Sequence, residues 1–136
     1  MIHLNNLYRF MKILIIEDSR IFQVGMKRAL VNAGHDVTVA SDGRNGLTAA
    51  QQTLPNLILL DMMLPVMSGP EVLSALQLEP ATKDIPVFVL TGLSQKNEET
   101  LLKAGAARYF EKSDRFLQHN FAALVEAVGR CNAKHR

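Results

Sequence analysis

The sequence has little of what secreted, membrane-spanning and nucleic-acid-binding proteins usually carry. A single cysteine, Cys131, allows no disulfide within the chain, which is typical of proteins kept in a reducing cytoplasm. No apolar run approaches the roughly 20 residues that a membrane-spanning helix needs. The net charge is only +2 and the basic residues are dispersed, which excludes a nucleic-acid-binding stripe. We therefore expect a cytoplasmic location, no membrane insertion and no direct binding to nucleic acid.

Linkers and zinc ligands are also missing. No stretch rich in glycine, proline or serine divides the 136 residues, so one domain is expected. The four histidines show no ligand spacing with each other or with the cysteine, which argues against zinc. The predicted organisation is an N-terminal extension at residues 1–10, one domain at 11–130, and a C-terminal tail at 131–136.

What the chain does contain is an alternation of short apolar segments with helical patterns. The segments lie at residues 13–16, 37–40, 57–60, 87–90 and 109–111. Apolar runs of this length between helical patterns are typical of buried parallel strands. Right-handed crossovers would place helices on both faces of the sheet. The sequence thus predicts an α/β fold, a three-layer sandwich around a five-stranded parallel sheet.

Two of the helical patterns begin directly after a residue that can serve as N-cap. The first begins at Arg20 with Ser19 as a possible cap, and its apolar positions near one face are Ile21, Val24, Leu30 and Val31. The last is predicted from about Asp114 to Gly129, with Ser113 as its possible N-cap.

Polar residues follow four of the apolar segments. Glu17 and Asp18 follow the first, Asp61 the third, Thr91 the fourth, and Lys112 the fifth. Because the carboxyl ends of parallel strands meet at one edge of a sheet, we expect these side chains to converge. Adjacent acids repel unless a cation shares them, and Mg²⁺ prefers such oxygens while leaving positions for phosphate. The pattern therefore predicts a Mg²⁺ site flanked by phosphoryl-binding groups.

This arrangement suits phosphoryl transfer. A carboxylate beside Mg²⁺ can attack an activated phosphorus and form an acyl phosphate. Thr91 could donate a hydrogen bond to one phosphoryl oxygen, and Lys112 could neutralise another. Any one of the acids alone would be read as a helix or turn cap. It is the combination with Thr91 and Lys112 that favours a chemical site.

The segment around Asp61 adds a more specific signal. It reads LILLDMMLPVMSG, with Pro65 and Gly69 four and eight residues after the aspartate. This segment and the spacings from Asp61 to Thr91 and Lys112 closely resemble bacterial response-regulator receiver domains, over nearly all of the predicted domain. The resemblance implies a flavodoxin-like (βα)5 fold with strand order 2-1-3-4-5.

The resemblance also implies a metal site and a phosphoacceptor. Asp61 would accept the phosphoryl group, and Glu17 and Asp18 would hold Mg²⁺ together with it. The backbone carbonyl of Met63 would complete the protein ligands.

Further residues and partners are implied by the same resemblance. Thr91 and Lys112 would contact the phosphoryl group, and Tyr109 would be the switch aromatic that moves with Thr91. A histidine kinase or histidine phosphotransfer protein would supply the phosphoryl group. A downstream protein target would bind the face of the fourth helix, fifth strand and fifth helix. Such a protein catalyses only its own phosphorylation and dephosphorylation.

One position departs from the family. Receivers usually carry a cis proline after the lysine, whereas this chain has Ser113. Because a cis bond before a residue other than proline costs about 3 kcal/mol, we expect a trans Lys112–Ser113 bond.

Other readings stay open. The chain could be an interaction module that works without phosphorylation, or it could be part of a larger regulator or hybrid kinase. A phosphatase with an aspartyl nucleophile would usually need a second acid at the position of Met63.

A first prediction concerns the lifetime of the phosphorylated state. Met63 and Leu93 lie two residues beyond Asp61 and Thr91, positions that the resemblance to receivers implies flank the path of the hydrolysing water. Since both are apolar, we expect the acyl phosphate to persist, and Met63→Asn to shorten its half-life several-fold. Following the decay of the phosphorylated form by intact mass tests this. An unchanged decay rate would contradict it.

Overall fold

The chain folds around a five-stranded, wholly parallel sheet of order β2-β1-β3-β4-β5. The computed structural model describes residues 10–92, 98–119 and 121–134. The predicted fold class and strand order are both confirmed. The strands are β1 (Lys12–Ile16), β2 (Asp36–Ala40), β3 (Leu57–Asp61), β4 (Val87–Thr91) and β5 (Arg108–Glu111).

Helices cover both faces of this sheet. They are α1 (Arg20–Asn32), α2 (Gly43–Thr53), α3 (Gly69–Leu78), α4 (Glu98–Lys103), α5 (Asp114–Gln118) and α6 (Ala122–Lys134). Alternate residues of each strand point to opposite faces, so the core forms two clusters. Ile13 and Ile15 pack with α1 and α6, whereas Leu14 and Ile16 pack with α2 and α3. Both faces of the central strands are therefore buried, which explains their uninterrupted apolar sequence.

The prediction for the buried face of α1 was mostly wrong. Ile21, Val24 and Val31 are 68%, 44% and 47% exposed. The core contacts come instead from Phe22, Met26, Ala29 and Leu30. These positions follow the i, i+4, i+7, i+8 spacing of a helix face, and the large side chains of Phe22 and Met26 remove more apolar surface from water than the β-branched residues would.

The last predicted helix is interrupted. Instead of one helix from Asp114 to Gly129, α5 ends at Gln118 and α6 runs on to Lys134, into the segment predicted as a tail. Phe121 has a left-handed backbone with φ of 59°, and its N–H donates to the carbonyl of Phe116 at 3.2 Å. The turn delivers the Phe121 ring to the core, where it is 4% exposed. Burial of this ring offsets the strain of its backbone.

Within the described ranges, no helix has both the length and the apolar character needed to span a bilayer.

A second prediction concerns the amino ends of β1 and β2, at the end of the sheet away from the acids. Buried His35 accepts a hydrogen bond at Nδ1 from the backbone N–H of Met11 at 3.1 Å, which requires that nitrogen to be unprotonated. Burial lowers the pKa of His35 below its usual 6.5. The unfolded chain therefore binds the proton more readily. The stability that neutral His35 contributes is present above pH 6.5 and is lost as the pH falls through the folded-state pKa.

We expect His35→Asn to flatten the acid side of the stability profile. The amide oxygen of asparagine can replace Nδ1 as acceptor but does not titrate, so a slope of at most about 1.4 kcal/mol per pH unit should disappear. Urea unfolding between pH 5 and 8 measures this slope, with His119→Asn on the exposed surface of the α5–α6 turn as the control. Equal slopes in the wild type and His35→Asn would refute the assignment.

Candidate functional site

The carboxyl ends of the strands bring three acids together. Glu17 and Asp61 are buried at 0% and 1% exposure, and Asp18 beside them is exposed. One carboxylate oxygen from each of the three lies within 4.8 Å of the others. The sheet order explains this convergence, because β1 and β3 are hydrogen-bonded neighbours and the pairing of Ile16 with Leu60 places the next residues, Glu17 and Asp61, side by side.

Lys112 joins this acidic cluster from the end of β5. Its ammonium lies 3.0 Å from Glu17 Oε2 and 3.3 Å from Asp61 Oδ2, with a side chain only 15% exposed. The backbone N–H of Lys112 donates to the carbonyl of Thr91 at 2.7 Å. This bond extends the β4–β5 ladder by one residue and fixes the lysine at the sheet edge.

Glu17 is a buried carboxylate with too little positive charge beside it. Burial raises the pKa of Glu17 to about 7, and the charge of Asp61 contributes to the rise. The backbone N–H of Ser19, 2.9 Å from Oε2, and Lys112 lower the pKa but do not cancel the rise. Ser19 therefore helps Glu17 through its backbone, and its predicted side-chain cap on α1 is absent.

The pKa of Lys112 is raised. Burial alone would lower the pKa, but the hydrogen bond and charge of Glu17, followed by those of Asp61, outweigh burial. With Glu17 ionised, Lys112 is therefore a charged ammonium at physiological pH.

A divalent cation fits this cluster. Within the described part of the chain, the buried Glu17 Oε1 has no hydrogen-bond partner. An unpartnered buried carboxylate oxygen is costly, and a hard cation would supply its missing contact. The three acids carry more negative charge than one ammonium can balance, so the donor set suits an ion such as Mg²⁺.

The two remaining predicted site residues, Thr91 and Tyr109, lie on β4 and β5. Thr91 ends β4 and is 2% exposed, opposite Glu111 in the parallel register. Tyr109 is half-buried on β5 opposite Val89, and its ring packs on the core cluster shared with α2 and α3. Thr91 therefore reaches the strand edge, and Tyr109 lies on the same face as the helices after β2 and β3.

The loop after Asp61 is held close to it. The backbone N–H of Met63 donates to Asp61 Oδ1 at 3.2 Å, while the Met63 side chain is 67% exposed. Leu93, the other residue of the lifetime prediction, lies outside the described residues. Further along, Met67 N–H donates to the Pro65 carbonyl at 2.7 Å across Val66, whose φ is 72°. Such a three-residue turn is strained for a β-branched residue.

Gly69 shows why the loop needs a glycine eight residues after the aspartate. A Cβ at this position would lie 2.4 Å from the backbone oxygen of Asp61 and 2.5 Å from the Cα of Met62. Ser68 and Glu71 form a capping box there, with Glu71 Oε1 accepting from Ser68 N–H at 2.9 Å. The start of α3 is thus pressed against the backbone of the central acid.

The departure at Ser113 has a simple structural outcome. No peptide bond is cis in the described ranges, so the expected trans bond after Lys112 is confirmed. Ser113 Oγ accepts the backbone N–H of Phe116 at 3.2 Å, which confirms the predicted N-cap of α5.

Sequence reasoning missed Phe22 and Gln23 at this site. The Phe22 ring lies under the Lys112 ammonium, 4.6 Å from its centroid. The Gln23 amide donates to the backbone carbonyl of Glu17 and, at 3.0 Å, to Ser41 Oγ. Both residues lie in the first turn of α1, directly after the acids, and this proximity was the available signal.

Comparison with known proteins agrees with this geometry. The family model for the response regulator receiver domain matches residues 13–121. The chain therefore belongs to the family of response-regulator receiver domains.

Individual relatives show the extent of the likeness. The DNA-binding dual master transcriptional regulator RpaA of Synechocystis is 39% identical over 102 residues, which cover 74% of this chain and 42% of that protein. The Mn²⁺-bound response regulator Rcp1 superposes with a TM-score of 0.76 at 30% identity, covering 85% of this chain and 90% of that one. The chemotaxis response regulator CheY4 of Vibrio cholerae gives 0.78 at 28% identity, covering 88% and 98%. The chain spans about half the length of the curated relatives it matches.

A third prediction concerns the cost of Glu17 without a metal. Its pKa of about 7 in the folded state lies above the ordinary 4.5, so its stabilising contribution is full below pH 4.5 and is lost as the pH rises through 7. At pH 8 in EDTA we expect Glu17→Gln to be more stable than the wild type by roughly 1–2 kcal/mol, because glutamine does not ionise.

Magnesium should reverse this order. At 100 times its dissociation constant, an ion that binds only the folded state stabilises it by about 2.7 kcal/mol. The wild type should gain this and Glu17→Gln much less. Thermal unfolding with EDTA and with Mg²⁺ measures both effects, and exposed Glu126→Gln is the control. A wild type at least as stable as Glu17→Gln in EDTA at pH 8 would show that Glu17 carries no such cost.

Proposed function

We propose that this chain is a phospho-accepting receiver in which Asp61 takes a phosphoryl group from a phosphohistidine. The observation that carries the proposal is the position of Asp61. It is a buried carboxylate at a sheet edge, within 3.3 Å of an ammonium and inside a three-carboxylate cluster that lacks compensating charge. A nucleophile, a cation site and a phosphoryl-binding group therefore occupy the same small volume.

The transfer itself needs little beyond positioning and charge. A carboxylate oxygen of Asp61 forms the new P–O bond while the P–N bond of the donor breaks and its electron pair leaves with the imidazole. Glu17, Asp18, Asp61 and the backbone carbonyl of Met63 would hold Mg²⁺. When bound, this ion supplies positive charge that draws the phosphoryl oxygens and the acids together.

Lys112 and Thr91 provide the remaining contacts in this proposal. Asp61 Oδ2 now accepts a hydrogen bond from Lys112 at 3.3 Å, and the incoming phosphoryl oxygen would replace it as acceptor. The Thr91 hydroxyl would donate to a second phosphoryl oxygen from the end of β4. Neither residue has to gain or lose a proton for the transfer.

The proposed output is a change at the face formed by α4, β5 and the two helices α5 and α6 that replace the predicted fifth helix. Movement of Thr91 toward the phosphoryl group would free space that the half-buried Tyr109 ring can enter. Because Tyr109 packs in the same core cluster as Leu101 of α4, two positions of its ring would present different surfaces at this face. A downstream protein target that binds one surface better would then shift the population.

We infer the partners from the family and from the site. The phosphoryl donor would be a histidine kinase or a histidine phosphotransfer protein, in the cytoplasm. Several curated relatives are named as DNA-binding or transcriptional regulators and are about twice as long as the matched segment. DNA binding is not proposed for this chain, whose charge of +2 shows no basic stripe. Turnover of an external substrate is likewise not proposed.

Two other functions remain as outcomes of the test. A receiver-like interaction module would use the same fold without phosphorylation. A phosphatase with Asp61 as nucleophile is disfavoured because the exposed apolar Met63 stands where a general acid would be needed.

The fourth prediction tests the phosphoacceptor directly. After incubation with acetyl phosphate and Mg²⁺, intact mass should show one added phosphoryl group on the wild type. Asp61→Asn should gain none, because its amide cannot form an acyl phosphate, and EDTA should prevent the gain in the wild type. Exposed Asp36→Asn, at the start of β2, is the matched control and should behave as the wild type.

The possible results separate the three functions. A single adduct that requires Asp61 and the metal supports the receiver. No adduct on a wild type that binds Mg²⁺ by calorimetry favours the interaction module. Continuous release of phosphate from many equivalents of donor, faster than decay of the adduct allows, favours the phosphatase.

A further inference from the structure

We propose that Phe22 is a positioning residue for Lys112, and that the face of its ring holds the lysine ammonium at the phosphoryl-accepting site. The inference rests on the proposed function, since it assigns a residue that prepares that same site. Neither the acids nor the loop after Asp61 provides this contact.

The geometry is that of a cation–π interaction. Lys112 Nζ lies 4.6 Å from the centroid of the Phe22 ring, inside the about 6 Å range of such contacts. An ammonium has three N–H donors, and two of them go to Glu17 Oε2 and Asp61 Oδ2. The ring face is available to the third. The Lys112 side chain is 15% exposed, so little water competes for it.

This contact has a specific use during transfer. The other two partners of Lys112 are carboxylates, and their hydrogen bonds and charge would change when a phosphoryl group or a metal binds. The ring is neutral and keeps its attraction for the cation throughout. It can therefore hold the ammonium at the sheet edge while Asp61 Oδ2 is exchanged for a phosphoryl oxygen, without taking up any of the positive charge.

The ring of Phe22 is itself held by two aromatic neighbours. Phe116 stacks on it with centroids 6.4 Å apart, and Phe121 meets it edge-on at 6.1 Å. Phe116 and Phe121 also contact each other at 4.8 Å in a T-shaped pair. Offset and edge-on pairs of this kind are favourable beyond the area that they bury. The stack fixes the plane that Phe22 presents to Lys112.

Gly25 shows that the chain makes room for this stack. It lies in the interior of α1, where glycine costs about 1 kcal/mol relative to alanine. A Cβ at Gly25 would come within 2.3 Å of the Phe121 ring. Glycine in the middle of α1 and the left-handed backbone of Phe121 are two unfavourable local features that serve one contact. Together they let an aromatic ring pack beside Phe22.

The fifth prediction compares three variants. Phe22→Leu keeps an apolar side chain but has no ring, and Phe22→Tyr restores the ring. Val39→Ala removes packing from the same core cluster, on the edge strand β2, which lies at the opposite side of the sheet from the strand that carries Lys112. The rate of Asp61 phosphorylation by phosphoramidate at saturating Mg²⁺ should fall about 3- to 30-fold in Phe22→Leu, the range that cation–π energies imply. Phe22→Tyr and Val39→Ala should stay within about 2-fold of the wild type.

A spectroscopic readout separates positioning from loss of packing. The ε-methylene protons of Lys112 should be shifted upfield by the ring current in the wild type and in Phe22→Tyr. They should return toward ordinary lysine values in Phe22→Leu and remain shifted in Val39→Ala. If Phe22 only filled space in the core and did not hold the ammonium, these protons would have ordinary lysine values in the wild type as well.

The outcomes distinguish this inference from the proposed function. If the wild type is phosphorylated and Phe22→Leu is equally fast, or if Val39→Ala slows as much as Phe22→Leu, the positioning role is overturned and the receiver function stands. If the wild type gains no phosphoryl group, both are overturned. Loss of rate and of the ring-current shift in Phe22→Leu alone supports the inference.

Discussion

The structure depends on a shortage of positive charge at one edge of its sheet. Glu17, Asp18 and Asp61 converge there, and Lys112 is the ammonium that contacts two of them. Two of these carboxylates are buried, so water cannot provide the missing compensation. The site is therefore stable with a proton or a cation and poorly stable with neither. A bound divalent cation would relieve that shortage and would also attract an anionic phosphoryl group, so the fold suits the proposed reaction.

Much of the fold could be predicted because the strand signal is simple. Four apolar residues followed by a polar one mark both a buried strand and the place where it meets solvent, so the positions of Glu17, Asp61 and Thr91 could be predicted; the strand before Lys112 is shorter and less apolar. The strand order came from resemblance to receivers rather than from the pattern itself. The loop motif predicted a glycine at position 69, but only the structure shows the reason, which is that the backbone of Asp61 and Met62 leaves no space there for a Cβ.

What could not be predicted depended on contacts between elements. Ile21, Val24 and Val31 looked like the buried face of α1, but helical spacing alone does not say which stripe meets the sheet. The break between α5 and α6 is invisible in the sequence because it depends on the packing of Phe121 against Gly25. Phe22 was missed for a related reason, since its partner Lys112 is 90 residues away along the chain.

The turn at Val66 bears on how this loop could change under selection. A β-branched residue with a left-handed backbone, 71% exposed to solvent, keeps an unfavourable conformation without burying its side chain. Glycine or asparagine would adopt the same shape at a lower conformational cost, and the exposed side chain could be exchanged with little loss of packing. Relief of the strain at Val66 would therefore stabilise the loop that follows Asp61. In evolution or in a laboratory library, replacing Val66 with glycine or asparagine could offset the destabilisation caused by a new residue near the acids. Substitutions in this loop should therefore be tolerated more easily.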